Sequence, residues 1–143
     1  MREQNYPFDS GKTIDGYGAI DIVVNFYTPR VIAEKRVPTD DDFRNQVRMA
    51  DSPRKGLTPE QYIEKMDRAG IERSLLIATR CGDRRMITST EIPYEYIYEA
   101  CQSYPHRFSG LAGIDPLRGV AGLKELDKAV HEYGFVGAHL YPH

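Results

Sequence analysis

Thr58-Pro59-Glu60-Gln61-Tyr62-Ile63-Glu64-Lys65-Met66-Asp67-Arg68-Ala69-Gly70-Ile71-Glu72-Arg73-Ser74-Leu75-Leu76-Ile77-Ala78-Thr79 decides the architecture. Its first four residues are a helix start. Threonine stands at the N-cap, proline at the first helical position and glutamine at N3, so the orphan backbone donors of the first turn are either satisfied or absent. Tyr62, Met66 and Ala69 then recur at helical spacing. Gly70 is the expected stop, because a residue without Cβ enters the left-handed region at little cost. Ser74 to Thr79 follows at once as a short apolar run, the pattern of a strand buried on both faces.

The same unit recurs in both directions. Upstream, Ala19-Ile20-Asp21-Ile22-Val23-Val24-Asn25-Phe26 is rich in β-branched residues with apolar side chains on both parities, and residues 28 to 35 predict a short helix. Downstream, a helix over 93–103 presents Tyr94, Ile97, Tyr98 and Cys101, and a strand over 108–114 closes at Asp115-Pro116. A further helix over 120–133 spaces Val120, Leu123, Leu126 and Val130 three or four apart and ends at Gly134. A last strand covers 136–141. Strand and helix alternating at roughly 30-residue spacing predict parallel strands joined by right-handed crossovers, an α/β protein. The polar stretch 36–56, with Asp40-Asp41-Asp42, reads as a surface insertion in a single domain spanning 1–143.

Composition narrows the class. The chain has 143 residues, 41% hydrophobic and 28% charged, the balance of a globular protein with a core. Nineteen basic against twenty-one acidic side chains leave a net charge of −2, so neither nucleic acid nor an anionic membrane is an expected partner. No window approaches the roughly 18 apolar residues of a membrane span, and the first seven residues lack the apolar run of a secretory signal. Cys81 and Cys101 are expected as reduced thiols, and a cytoplasmic location is expected with them.

Four strands are half of what a (β/α)₈ barrel needs, and the last of them stands at the end of this sequence. Open sheet edges invite pairing. The expectation is therefore a partial barrel, either one portion of a longer enzyme or a subunit that self-associates or pairs with a complementary half.

In order and spacing the motifs resemble those of the amidohydrolase-related family, the branch of metal-dependent hydrolases, hydratases and decarboxylases of small carboxylated molecules. The matching pieces are Ile20-Asp21-Ile22 with Pro29, and Met66-Asp67-Arg68-Ala69-Gly70-Ile71-Glu72-Arg73-Ser74-Leu75-Leu76-Ile77. They continue with Tyr104-Pro105-His106-Arg107-Phe108-Ser109-Gly110-Leu111-Ala112 and Tyr133-Gly134-Phe135-Val136-Gly137-Ala138-His139-Leu140. The resemblance implies the first half, about four strands, of a TIM-like barrel with its chemistry at the C-terminal ends of the strands. It also implies a divalent metal, zinc or similar, held in part by a His-x-His pair on the first strand. Here that pair is replaced by Val23-Val24-Asn25. Valine has no donor atom and an asparagine amide is a poor zinc ligand, so no metal ligand is assigned in this chain.

Candidate pocket residues are those at strand C-termini. His143 is the candidate catalytic acid, base or ligand, sharing a face with Tyr141 and His139 if the strand runs straight; the plain alternative is a histidine satisfied by backbone or water. Asn25 and Tyr27 could hydrogen-bond a substrate, and Arg80 and Arg84, with Arg85, could clamp a carboxylate, against the commoner fate of a solvated loop arginine. Asp115 is expected to cap the turn that follows it. Two functional readings follow. One is the N-terminal portion of an amidohydrolase-type enzyme performing metal-assisted hydrolysis, hydration or decarboxylation of a small carboxylate. The other is a non-catalytic, degenerate barrel half that binds or stabilises a partner.

Overall fold

A computed structural model describes residues 18–37, 45, 55–82 and 89–141. The elements run β1 (Ala19–Asn25), α1 (Pro29–Ala33), α2 (Pro59–Ala69), β2 (Ile71–Ala78), β3 (Arg80–Cys81), β4 (Thr90–Glu91), α3 (Tyr94–Ser103), β5 (Phe108–Ile114), a single 3₁₀ turn (Pro116–Arg118), α4 (Gly119–His131) and β6 (Gly137–Leu140). β1, β2, β5 and β6 form one sheet in that order, every pair parallel. With helices between them they make a curled half-barrel, the partial TIM-like architecture expected from the alternation.

The local signals act as written. Thr58 accepts from the Gln61 amide while the Gln61 side chain accepts from the Thr58 amide, a complete capping box with Pro59 at the first helical position. Gly70 ends the helix at φ 69°, and β2 begins one residue later. Asp115 caps its turn by accepting from the Leu117 amide at 3.0 Å.

The core lies between the sheet and the helices. Leu76 and Ala78 of β2, Phe108 and Ala112 of β5 and Val24 of β1 point into it, against Met66, Ile97, Ala100, Ala129 and Phe135. Phe26 sits at a ring junction, 5.0 Å from Tyr62 and 5.9 Å from Phe108. Aromatic pairs at such distances contribute about 0.5–1.5 kcal/mol beyond simple burial. Phe135 holds α3 to the sheet by packing on Tyr94 at 5.6 Å, and Gly110 leaves room for its ring.

Three features depart from the periodicity. β3 and β4 form a two-residue antiparallel hairpin after β2, too short to leave a pattern. In α4 the expected apolar stripe is largely outward: Val120, Leu123 and Val130 are exposed, and Ala129 is the buried contact. β1 has an irregular register between Asp21 and Val24, and Ile22 and Val23 there are exposed. The polar stretch 36–56 lies mostly outside the described residues, but its ends are anchored, with Val37 and Gly56 buried.

An ionic network fastens the hairpin to α4. Arg118 reaches Glu91 at 3.1 Å, Glu125 at 3.1 Å and Asp115 at 3.6 Å, and Glu125 also takes the Arg80 guanidinium. Partly buried and shared among several groups, it differs from an isolated surface pair, which adds little.

Gly113 sets how closely the strand tips approach. A Cβ there would lie 2.0 Å from the Ala78 carbonyl oxygen and 2.7 Å from the Arg80 nitrogen, both backbone atoms. Gly113→Ala must push β5 from β2 and is expected to destabilise by about 3 kcal/mol. Gly70→Ala meets open space and carries only left-handed strain, about 1 kcal/mol. Urea unfolding of both variants checks this, and an equal or reversed order refutes the close-approach account.

Candidate functional site

Asn25 ends β1 next to Ile77 of β2, which pairs with Leu111 of β5, which pairs with Gly137 of β6. These residues alternate with the core-facing set, so this row lies on the face away from the helices. Two residues further along each strand come Thr79, Gly113 and His139, on the same face and nearer the C-terminal tips. The sheet thus gathers Asn25, Thr79, His139 and, just beyond β6, Tyr141.

They converge because the sheet curls. In a flat sheet β1 and β6 would stand about 14 Å apart, three strand spacings. The Tyr141 hydroxyl nevertheless donates to Asn25 Oδ1 at 2.9 Å, and the hydroxyl of buried Thr79 donates to the same oxygen at 3.3 Å. Both lone pairs of Oδ1 are engaged, and Nδ2 keeps two N–H donors with no partner among the described residues. The His139 ring stands edge-on to Tyr141 at 4.6 Å, with Nδ1 buried and without a hydrogen-bond partner among the described residues.

The Asn25 backbone is held from the helix side. Tyr62 donates its hydroxyl to the Asn25 carbonyl at 3.0 Å and accepts from the Tyr27 amide at 3.2 Å. Burial pushes the Tyr62 phenol up to about 12, only partly opposed by the amide it accepts from.

Of the sequence candidates, Asn25 stands in this cluster. Tyr27 leads away from β1, its amide on Tyr62 and its side chain packed against the core. Arg80 is buried, stacked 3.9 Å over the Tyr94 ring and paired with Glu125, so its charge is already engaged inside the protein. Arg84, Arg85 and His143 lie outside the described residues. Thr79 and Tyr141 were not among the candidates. The alternation Gly137-His139-Tyr141 on one strand face is the signal that could have found Tyr141.

The described residues do not fit a metal. No three His, Cys, Asp or Glu side chains among them come together. Val23 has no donor atom, and the lone pairs Asn25 would offer an ion are taken by two hydroxyls. What remains among the described residues is amide donors, hydroxyls and an imidazole, groups able to hold an anionic oxygen. A separate groove of about 410 Å³ opens on the helix side beside Phe26, Thr28, Tyr96 and Ser103. Its arginine, Arg30, is already paired with Glu34 and Glu99. Both cysteines are free thiols, and no helix among the described residues is long and apolar enough to cross a membrane.

No protein-family model and no curated protein matches this chain. Solved structures do. The 5-carboxyvanillate decarboxylase of Novosphingobium aromaticivorans, complexed with manganese and 4-hydroxy-3-methoxy-5-nitrobenzoic acid, is similar over 94% of this chain and 44% of its own, at 21% identity and a TM-score of 0.63. A 2,6-dihydroxybenzoate decarboxylase complexed with 2,6-dihydroxybenzoate matches 85% of this chain and 38% of its own, at 24% identity and 0.55. The 2,6-dihydroxybenzoate decarboxylase from Rhizobium matches 85% and 37%, at 28% identity and 0.52. These neighbours are amidohydrolase-superfamily decarboxylases matched over their N-terminal part, so the resemblance read from the sequence holds in the fold. The chain spans less than half the length of each.

Ionised Tyr62 could no longer donate to Asn25. With its folded pKa raised above the ordinary 10, its contribution to stability is complete below pH 10 and is lost as pH rises toward 12. Ultraviolet titration of the native chain against Tyr62→Phe should show one phenol fewer ionising near pH 12. A difference appearing near pH 10 instead would contradict the burial.

Proposed function

We propose that this chain forms the N-terminal part of an amidohydrolase-type enzyme that decarboxylates a small hydroxylated aromatic acid, and that its share of the work is substrate recognition. The observation that carries this is Asn25. Its amide stands at the tip of the first strand beside Thr79 and Tyr141, with two N–H donors that have no partner among the described residues on the face away from the helices. The neighbour at 28% identity is a 2,6-dihydroxybenzoate decarboxylase, which favours this reaction over hydrolysis or hydration.

The chemistry suits a carboxylate. Amide N–H groups held in place bind a charged oxygen without reorganising, and such bonds contribute about 1.5–3 kcal/mol. With Oδ1 accepting from Thr79 and Tyr141, Nδ2 is the end of the amide that would meet the anion. A divalent metal is expected for the family and is bound in the carboxyvanillate decarboxylase structure. In this protein its ligands would have to come from residues other than the described ones, and none of the roles above depends on it. His143 and Arg84 remain proposed as an acid–base group and a carboxylate contact respectively.

The 143-residue chain is therefore expected to bind 2,6-dihydroxybenzoate without releasing CO₂ from it. Calorimetric titration should show Asn25→Leu weakening that binding at least tenfold, while Arg30→Ala, on the far groove, leaves it unchanged. Absence of binding, or affinity indifferent to Asn25→Leu, overturns the proposal.

A further inference from the structure

Both edges of the main sheet are open. Among the described residues β1 pairs with β2 alone and β6 with β5 alone, so each edge shows a row of backbone groups with no strand beside it. Apolar side chains stand open at both. Ile20, Ile22 and Val23 on β1, and Val136 and Leu140 at β6, are each half exposed or more.

The curvature between the two edges is that of a small barrel cut in half. Asn25 and Tyr141 point at one another and hydrogen-bond across three strand spacings, so the four strands sweep through about half a turn. The stagger agrees. Followed from strand to strand, the pairing leaves β1 at its last residue, Asn25, and crosses β2 at Ile77, one residue short of its end. It then crosses β5 at Leu111 and β6 at Gly137, each three residues short of the strand's end. A closed barrel of eight strands accumulates a stagger of about eight residues, about four in each half.

We infer that two copies of this chain close one eight-stranded barrel about a two-fold axis along its centre, β6 of each pairing with β1 of the other. Such an axis leaves every strand pointing the same way and leaves no edge. The next step of the stagger, about four residues back from Asn25, sets Gly137 beside the partner's Asp21, Ala138 beside the partner's Ile22 and His139 beside the partner's Val23. The faces agree in this register. His139 and Val23 both belong to the concave rows and Leu140 and Val24 to the helix side, whereas a slip of one residue would set concave against convex. Ile22 and Val23 are also the β1 residues left exposed where its pairing with β2 is irregular. The carboxyvanillate decarboxylase is matched over 44% of its length, so two copies come near the size of one such barrel. The inference goes beyond the substrate proposed above and does not depend on it. In the closed barrel Tyr141 falls beside the partner's Asn25, so each copy walls the concave face of the other.

Sedimentation equilibrium of the 143-residue chain should give twice its mass of 16.3 kDa. Mixing two single variants at exposed positions, Ile22→Cys and Ala138→Cys, tests the register. Oxidation should link one chain of each kind, while neither variant alone links beyond the level of the unmodified chain with its two free thiols. Val23→Lys sets a charge inside the closed barrel and should weaken dimerisation roughly tenfold or more, with the far-ultraviolet circular dichroism of the unmodified chain. A folded monomer overturns the inference and leaves the edges to a different chain. Masses that keep growing with concentration overturn it in favour of an open stack, and a dimer that fails to link in the mixture overturns it in favour of another face.

Discussion

One amide oxygen joins the two ends of the sheet. Asn25 Oδ1 receives hydroxyls from Thr79, directly after β2, and from Tyr141, directly after β6, residues separated by 54 and 116 positions in sequence. Two-residue alternation puts the Asn25 and Tyr141 side chains on the concave side, and curl lets them meet. The bond to Tyr141 also depends on β5, because β6 reaches the sheet only through its pairing with that strand. Gly113 lets β5 lie close to β2 at the same level. Curl, close strand approach and the hydroxyl pair are thus one constraint seen from three residues.

The helix side holds the same tip in place with different chemistry. Tyr62 comes from α2, whose start is fixed by its capping box, and its hydroxyl bridges the Asn25 carbonyl and the Tyr27 amide. Its ring packs on Phe26, which packs on Phe108 of β5. A local helix-start signal therefore determines, through one tyrosine, where the first strand stops. On the far flank, Arg80, Glu125, Arg118 and Glu91 fasten the short hairpin to α4. An arginine in such a network is costly to free, because breaking one partner leaves the others buried without compensation. That is why Arg80, attractive as a carboxylate clamp by its position after β2, is committed elsewhere.

What the sequence discloses divides along the range of the interactions. The capping box at Thr58, the stop at Gly70 and the strand at 108–114 are local, and the structure reproduces them. The parallel order follows from strand–helix alternation, and the amidohydrolase-type resemblance rests on motifs that lie in those same elements. The candidate site is harder to read. Asn25 was found because it stands at the end of the first strand, but Tyr141 and Thr79 become its partners only once the strands have paired. The exposure of Val120 and Leu123 misleads in the opposite direction. Their spacing promises a buried stripe, yet the sheet beside α4 receives Ala129. Periodicity states which face is apolar, and only the tertiary contacts state which part of it is covered.

The substitution at the first strand follows the same logic. A His-x-His pair there would present two lone pairs to an ion. Val23 and Asn25 present none that is free, since the amide oxygen is already saturated by hydroxyl donors. Compared with a His-x-His pair, this strand tip offers hydrogen-bond donors rather than electron pairs. Under the proposed function, a site of that sign would hold the anionic end of a ligand directly, where a metal ligand would act on it through a cation.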